Sequence, residues 1–112
     1  MNVENTKAQM RKGVLEYCIL SILAQGELYP SDIISKLKEA KLIVVEGTLY
    51  PLLTRLKDAG LLTYRWEESR SGPPRKYYKL TTVGDKFLNE LDQTWDELSQ
   101  AVKKTTRKNV QR

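Results

Sequence analysis

The chain has 112 residues, a single cysteine (Cys18) and no histidine, which excludes an intramolecular disulfide and any histidine-containing zinc site. Its formal charge of +5 suits a polyanionic partner, nucleic acid or an anionic membrane surface, and 40% apolar residues suffice for a packed core. No apolar run reaches the roughly 18 residues of a membrane span, and Glu16, Tyr17 and Ser21 interrupt the first one, so a cytoplasmic domain without membrane, metal or cofactor is expected.

Residues 1–9 are polar and expected to fray. From Met10, the helical recurrence of Val14, Leu15, Cys18, Ile19, Ile22 and Leu23 predicts a first helix over about 11–25, stopped by Gly26. Pro30 and Ser31 open a second helix over 30–40, with Ile33, Ile34 and Leu37 inward. An extended link of Ile43, Val44 and Val45 leads to a third helix over 46–59, with Leu49, Leu52, Leu53 and Leu56 on one face. Gly60 ends it, and Leu61 can fold back on Leu56 as in a Schellman cap.

The hydrophobic period then drops from 3.6 to 2. Leu62, Tyr64 and Trp66 alternate with Thr63 and Arg65 in a predicted strand. Residues 69–74 read as a turn and Arg75 to Leu80 as the returning strand. Thr81 or Thr82 caps a last helix running to about Lys104, with Asp85 completing a box-like start from Thr82. The tail from Lys103 to Arg112 is basic and expected to be disordered at its end.

Three helices followed by a hairpin give a mainly α fold with a small β-hairpin, the order of a winged helix-turn-helix. Residues 1–81 form the expected DNA-binding domain, with helices two and three as the reading pair and residues 62–80 as the wing. Residues 82–112 form the dimerisation helix and tail. On the third helix, Gly47, Thr48, Pro51, Thr54 and Arg55 lie opposite the leucines, with Tyr50 at the edge. Thr48 can donate to a phosphate beside the free amides of the helix start, and Arg55 can reach a phosphate or a guanine edge. Pro51 forfeits the bond to the Gly47 carbonyl. Arg70, Arg75 and Lys76 surround the proline-stiffened wing tip and suit phosphate contact. A solvated face is the other reading of each of these residues.

The last helix places Gly84, Leu88, Leu91, Trp95, Leu98 and Val102 at alternating spacings of four and three, a heptad seam wanting a partner helix. Its symmetry mate in a homodimer and the first helix of either subunit are the candidate partners. A histidine-free chain with no nucleophile–base pair, metal cluster or phosphate-binding glycine loop is not read as an enzyme. A winged helix used only for protein interaction is the alternative function, and it predicts no salt-dependent DNA binding.

The segments Gly47-Thr48-Leu49-Tyr50-Pro51-Leu52-Leu53, Arg55-Leu56, Gly60-Leu61, Gly72-Pro73-Pro74-Arg75-Lys76-Tyr77-Tyr78 and Leu80-Thr81 with Gly84 resemble the PadR family of bacterial transcription regulators, in its short form with one C-terminal helix. The resemblance runs from the first helix to residue 84 and more loosely through the last helix. It implies a dimeric repressor on a palindromic double-stranded DNA operator, with first and last helices in the interface, released by an effector. It also implies that Trp95 lines a cavity between subunits for a small aromatic or phenolic effector, with Tyr17 and Ser21 nearby; simple packing is the other reading of Trp95. Two departures are visible: Pro73 stands where many members carry arginine, and Val45 where a capping Ser or Thr is common.

Overall fold

The computed structural model describes residues 1–106. The first helix, α1, spans Val3–Leu23 rather than 11–25. Residues expected to fray are helical because the Asn2 side chain accepts from the Glu4 and Asn5 amides, at 2.8 and 3.3 Å, and satisfies two donors of the first turn. The helix ends two residues early, at Leu23, and Gly26 in the following turn has φ +153°.

Helix α2 spans Pro30–Glu39 and α3 spans Glu46–Asp58. The Asp32 carboxylate accepts from the Tyr29 amide and ties the start of α2. Both helices close with the same double bond. The Leu61 amide donates to the Leu56 carbonyl and that of Gly60 to Lys57, with Gly60 at φ +82°. The Leu42 amide likewise donates to Leu37 and that of Lys41 to Lys38, with Lys41 at φ +68°. The first of these Schellman caps was legible from its glycine; the second places a lysine in the left-handed region.

Strands β1 (Leu62–Ser69) and β2 (Gly72–Leu80) pair antiparallel, with Leu62 opposite Leu80, Tyr64 opposite Tyr78 and Trp66 opposite Lys76. The turn is tighter than the sequence indicates. Only Arg70 and Ser71 lie between the strands, and Pro73 and Pro74 belong to β2. A two-stranded ribbon has an open edge on each strand, where a proline removes no ladder bond, and the register slips between Glu67 and Ser69. Leu28, in the α1–α2 link, exchanges both backbone bonds with Tyr78 and pins the wing to the helices.

Helix α4 spans Thr82–Thr105. Thr81 is its cap, accepting from the Gly84 amide, so the box-like start from Thr82 to Asp85 does not form. The Thr81 hydroxyl also reaches the carbonyls of Gly60 and Leu61, which leads α4 directly off the end of α3. Gly84 is buried at this crossing, and a Cβ there would collide with the Leu61 carbonyl oxygen. The core collects Ile19, Leu20 and Leu23 of α1, Ile33 and Leu37 of α2, Leu49, Leu53 and Leu56 of α3, then Leu61, Leu62, Tyr78 and Leu88. The predicted stripes of α1, α2 and α3 thus meet on one another, with Ile34 and Leu52 half-buried at the margin. The expected tail continues over residues 107–112, which lie outside the described residues.

Candidate nucleic-acid interface

The leucines of α3 fix its rotation. With Leu49, Leu53 and Leu56 buried, Gly47, Thr48, Tyr50, Pro51, Thr54 and Arg55 are all exposed. They do not share one direction. At roughly 100° per residue, Gly47, Pro51 and Thr54 form the pole opposite the core, Tyr50 leans to one flank, and Thr48 and Arg55 lean to the other. Contacts agree with this. The Tyr50 flank faces the wing, and the Arg55 guanidinium lies 3.3 Å from the Glu16 carboxylate of α1. Arg55 therefore lies at the α1 side. Val45 caps α3 without a side-chain bond, as its residue type requires.

Between the starts of α2 and α3 and the wing lies a cleft of about 460 Å³, bordered by Tyr29, Ser31, Tyr50, Trp66, Arg75 and Lys76. The wing cations rest on aromatic faces. Lys76 Nζ is 4.5 Å from the Tyr64 ring centre and 5.4 Å from that of Trp66, and the Arg75 guanidinium lies 5.6 Å from Tyr29. Each such contact contributes about 0.5–1 kcal/mol at an exposed site and restrains a long side chain that would otherwise sample many rotamers. Arg70 sits at the hairpin tip, exposed. Thus Tyr50, Arg75 and Lys76 converge on one cleft, Thr48 and Arg55 border the α1 side, and Gly47, Pro51 and Thr54 stand between.

What aims the wing is not legible in the sequence. The Arg65 guanidinium bridges Glu27 at 3.1 Å and Glu67 at 3.4 Å, and the Tyr29 hydroxyl donates to Glu67. Burial and then the Glu67 bond push the Tyr29 hydroxyl pKa upward, so it stays a donor. Tyr29 also meets Tyr77 edge-on at 4.4 Å. Apart from Arg65–Glu67, these pairs join residues 38 and 48 positions apart, beyond the reach of any local pattern; the one hint was the tyrosine directly before Pro30.

On α4 the predicted seam divides. Gly84 and Leu88 are buried and Leu91 half-buried against α1 and the core, whereas Trp95, Leu98 and Val102 are 42%, 51% and 49% exposed. Tyr17 of α1 donates to Asp92, and its ring lies 6.4 Å from that of Trp95. The bond to Asp92, then burial, then the charges of Asp92 and Asp96 push the Tyr17 pKa up to about 12. Ser21 is half-buried one turn beyond Tyr17. Cys18 packs against the core, and burial raises its pKa, which suppresses thiolate chemistry. Among the described residues, no helix is long and apolar enough to cross a membrane.

Comparison with known proteins places this geometry. The chain is 63% identical to a PadR-like transcription factor from Bacteroides fragilis, whose X-ray structure matches 91% of this chain and 99% of that one at a TM-score of 0.78. It is 36% identical to the negative transcriptional regulator PadR of Bacillus subtilis over 69% of this chain, but spans only 44% of that longer protein. The crystal structure of Bacillus subtilis PadR in complex with operator DNA matches at a TM-score of 0.65, with 34% identity, covering 70% of this chain and 46% of that one. A model of the Transcriptional regulator PadR-like family matches residues 19–90, from mid-α1 into α4. The chain belongs to the PadR-like family of transcriptional regulators, which are not enzymes.

Proposed function

We propose that the chain is a cytoplasmic, dimeric repressor that binds a palindromic DNA operator through α3 and the wing. The observation that carries this reading is the convergence of Tyr50 of α3 and the restrained wing cations Arg75 and Lys76 on one cleft, beside the exposed pole of α3. In this reading α3 enters the major groove, Thr48 and Tyr50 contact the backbone beside it, and Arg70, Arg75 and Lys76 hold flanking phosphates. Arg55 joins the backbone contacts when a phosphate outcompetes Glu16. The structure of the Bacillus subtilis relative in complex with operator DNA supports operator binding by this fold.

Dimerisation falls to the outer half of α4, where Trp95, Leu98 and Val102 form an apolar stripe that the described residues leave open. Two copies place the reading helices one DNA turn apart, about 34 Å, so a small change of subunit angle alters affinity. A small aromatic or phenolic effector near Trp95, Tyr17 and Ser21 supplies that change by binding one arrangement more tightly. Selection of bound fragments from the source genome tests the reading. It predicts enrichment of palindromic sites with half-sites one turn apart; no enrichment would contradict it.

A further inference from the structure

The pole of α3 carries no long side chain. From Glu46 to Arg55 its residues are Gly47, Pro51 and Thr54, and Asp58 follows on the same line in the last turn. The helix does hold long cations, but elsewhere: Arg55 turns to Glu16 on α1, and Lys57, in the last turn, lies by Asp58 and over the Tyr64 ring. Glu46 stands on the wing flank, in the cleft with Arg75 and Lys76. None of these occupies the line from the leucine core outward, and helix-turn-helix readers contact bases mainly with N-terminal residues of the reading helix.

Such a pole cannot make the bidentate contacts by which Arg reads guanine or Asn and Gln read adenine. What it offers is different. The Pro51 ring and the Thr54 methyl are apolar, and Gly47 adds no side chain, so the backbone can come close to the groove floor. In the major groove, an A·T pair presents an apolar complement, the thymine C5-methyl.

We infer that α3 reads A·T pairs at the centre of each half-site, with Pro51 and Thr54 packed on thymine methyl groups, rather than guanines through arginine. The inference rests on the DNA-binding reading above and specifies its chemistry. The test uses the full chain and a randomised duplex library, followed by single base replacements in the selected sequence. Deoxyuridine in place of thymidine deletes one methyl and keeps every hydrogen bond. At the half-site centre it should weaken binding about fourfold per methyl, the burial of one carbon. In Thr54→Ser, which keeps the hydroxyl and loses the methyl, the penalty at one thymine should shrink, and in Pro51→Ala the penalty at a neighbouring one.

Selected half-sites whose centres are insensitive to deoxyuridine but lose tenfold or more with 7-deazaguanine would overturn the inference while leaving DNA binding intact. Deoxyuridine penalties undiminished in both variants would also overturn it. A library with no enrichment would overturn the DNA-binding reading, and this inference with it.

Discussion

The two halves of α4 are one helix by backbone and two by environment. From Thr82 to Leu91 the seam residues Leu88 and Leu91 pack on the chain's own core, and Gly84 is crossed so closely that no Cβ fits. From Asp92 onward Trp95, Leu98 and Val102 remain open. At 24 residues the helix is ~36 Å long, more than a small three-helix core can cover. The inner half therefore belongs to the energetics of folding and the outer half to those of association. A continuous heptad pattern hid this division, because periodicity records which residues are apolar and not what covers them.

Substitutions should separate the halves. The largest effects on folding belong to the inner half. Leu88→Ala deletes a buried side chain and should cost about 2–4 kcal/mol, and Gly84→Ala about 1–3 kcal/mol through the clash with Leu61. Denaturant unfolding followed by circular dichroism checks both; a loss below about 0.5 kcal/mol at either site would contradict a folding role for the inner half. In the outer half, Trp95→Asp with Leu98→Asp should raise the dimer dissociation constant by tenfold or more, since both lie on the proposed interface. Sedimentation equilibrium reads this, and the double variant should keep its helical spectrum. Wild-type protein that sediments as a monomer at micromolar concentration would remove the outer half from any interface.

The border between the halves should show the smallest effect. Tyr17→Phe removes the bond to Asp92 and should cost about 0.5–1 kcal/mol, because the bond is solvent-exposed. The Tyr17 pKa is raised in the folded chain, so this contribution is fully present below the unfolded value of 10 and fades as pH climbs through about 12. Stability measured between pH 8 and 12 should converge for wild type and variant at the upper end; a constant gap would argue against the Asp92 bond.

Much of this architecture was legible in the chain. Gly60 followed by Leu61, the change of period at Leu62 and the proline at residue 30 each mark a boundary through local chemistry. The errors have local explanations too. Asn2 caps a helix through residues with no apolar period, and Lys41 accepts a left-handed conformation because the Leu42 bond and burial of Leu37 enforce it. What stayed out of reach was nonlocal: the Glu27–Arg65–Glu67–Tyr29 chain, the Leu28 bridge to Tyr78, and the Arg55–Glu16 pair. These fix where the wing points and where Arg55 turns. The identities of the interface candidates were readable, and their relative directions were not.

The central claim is that α3 and the wing form one DNA-binding surface. Its most direct test is the salt dependence of duplex affinity for wild type and for Arg75→Ala with Lys76→Ala, by fluorescence anisotropy on a selected site. Each phosphate contact contributes about 0.9 to the slope of log affinity against log salt. The double variant should bind more weakly to every sequence, with a slope shallower by up to about 1.8. Equal affinity and equal slope would contradict a wing that holds phosphates.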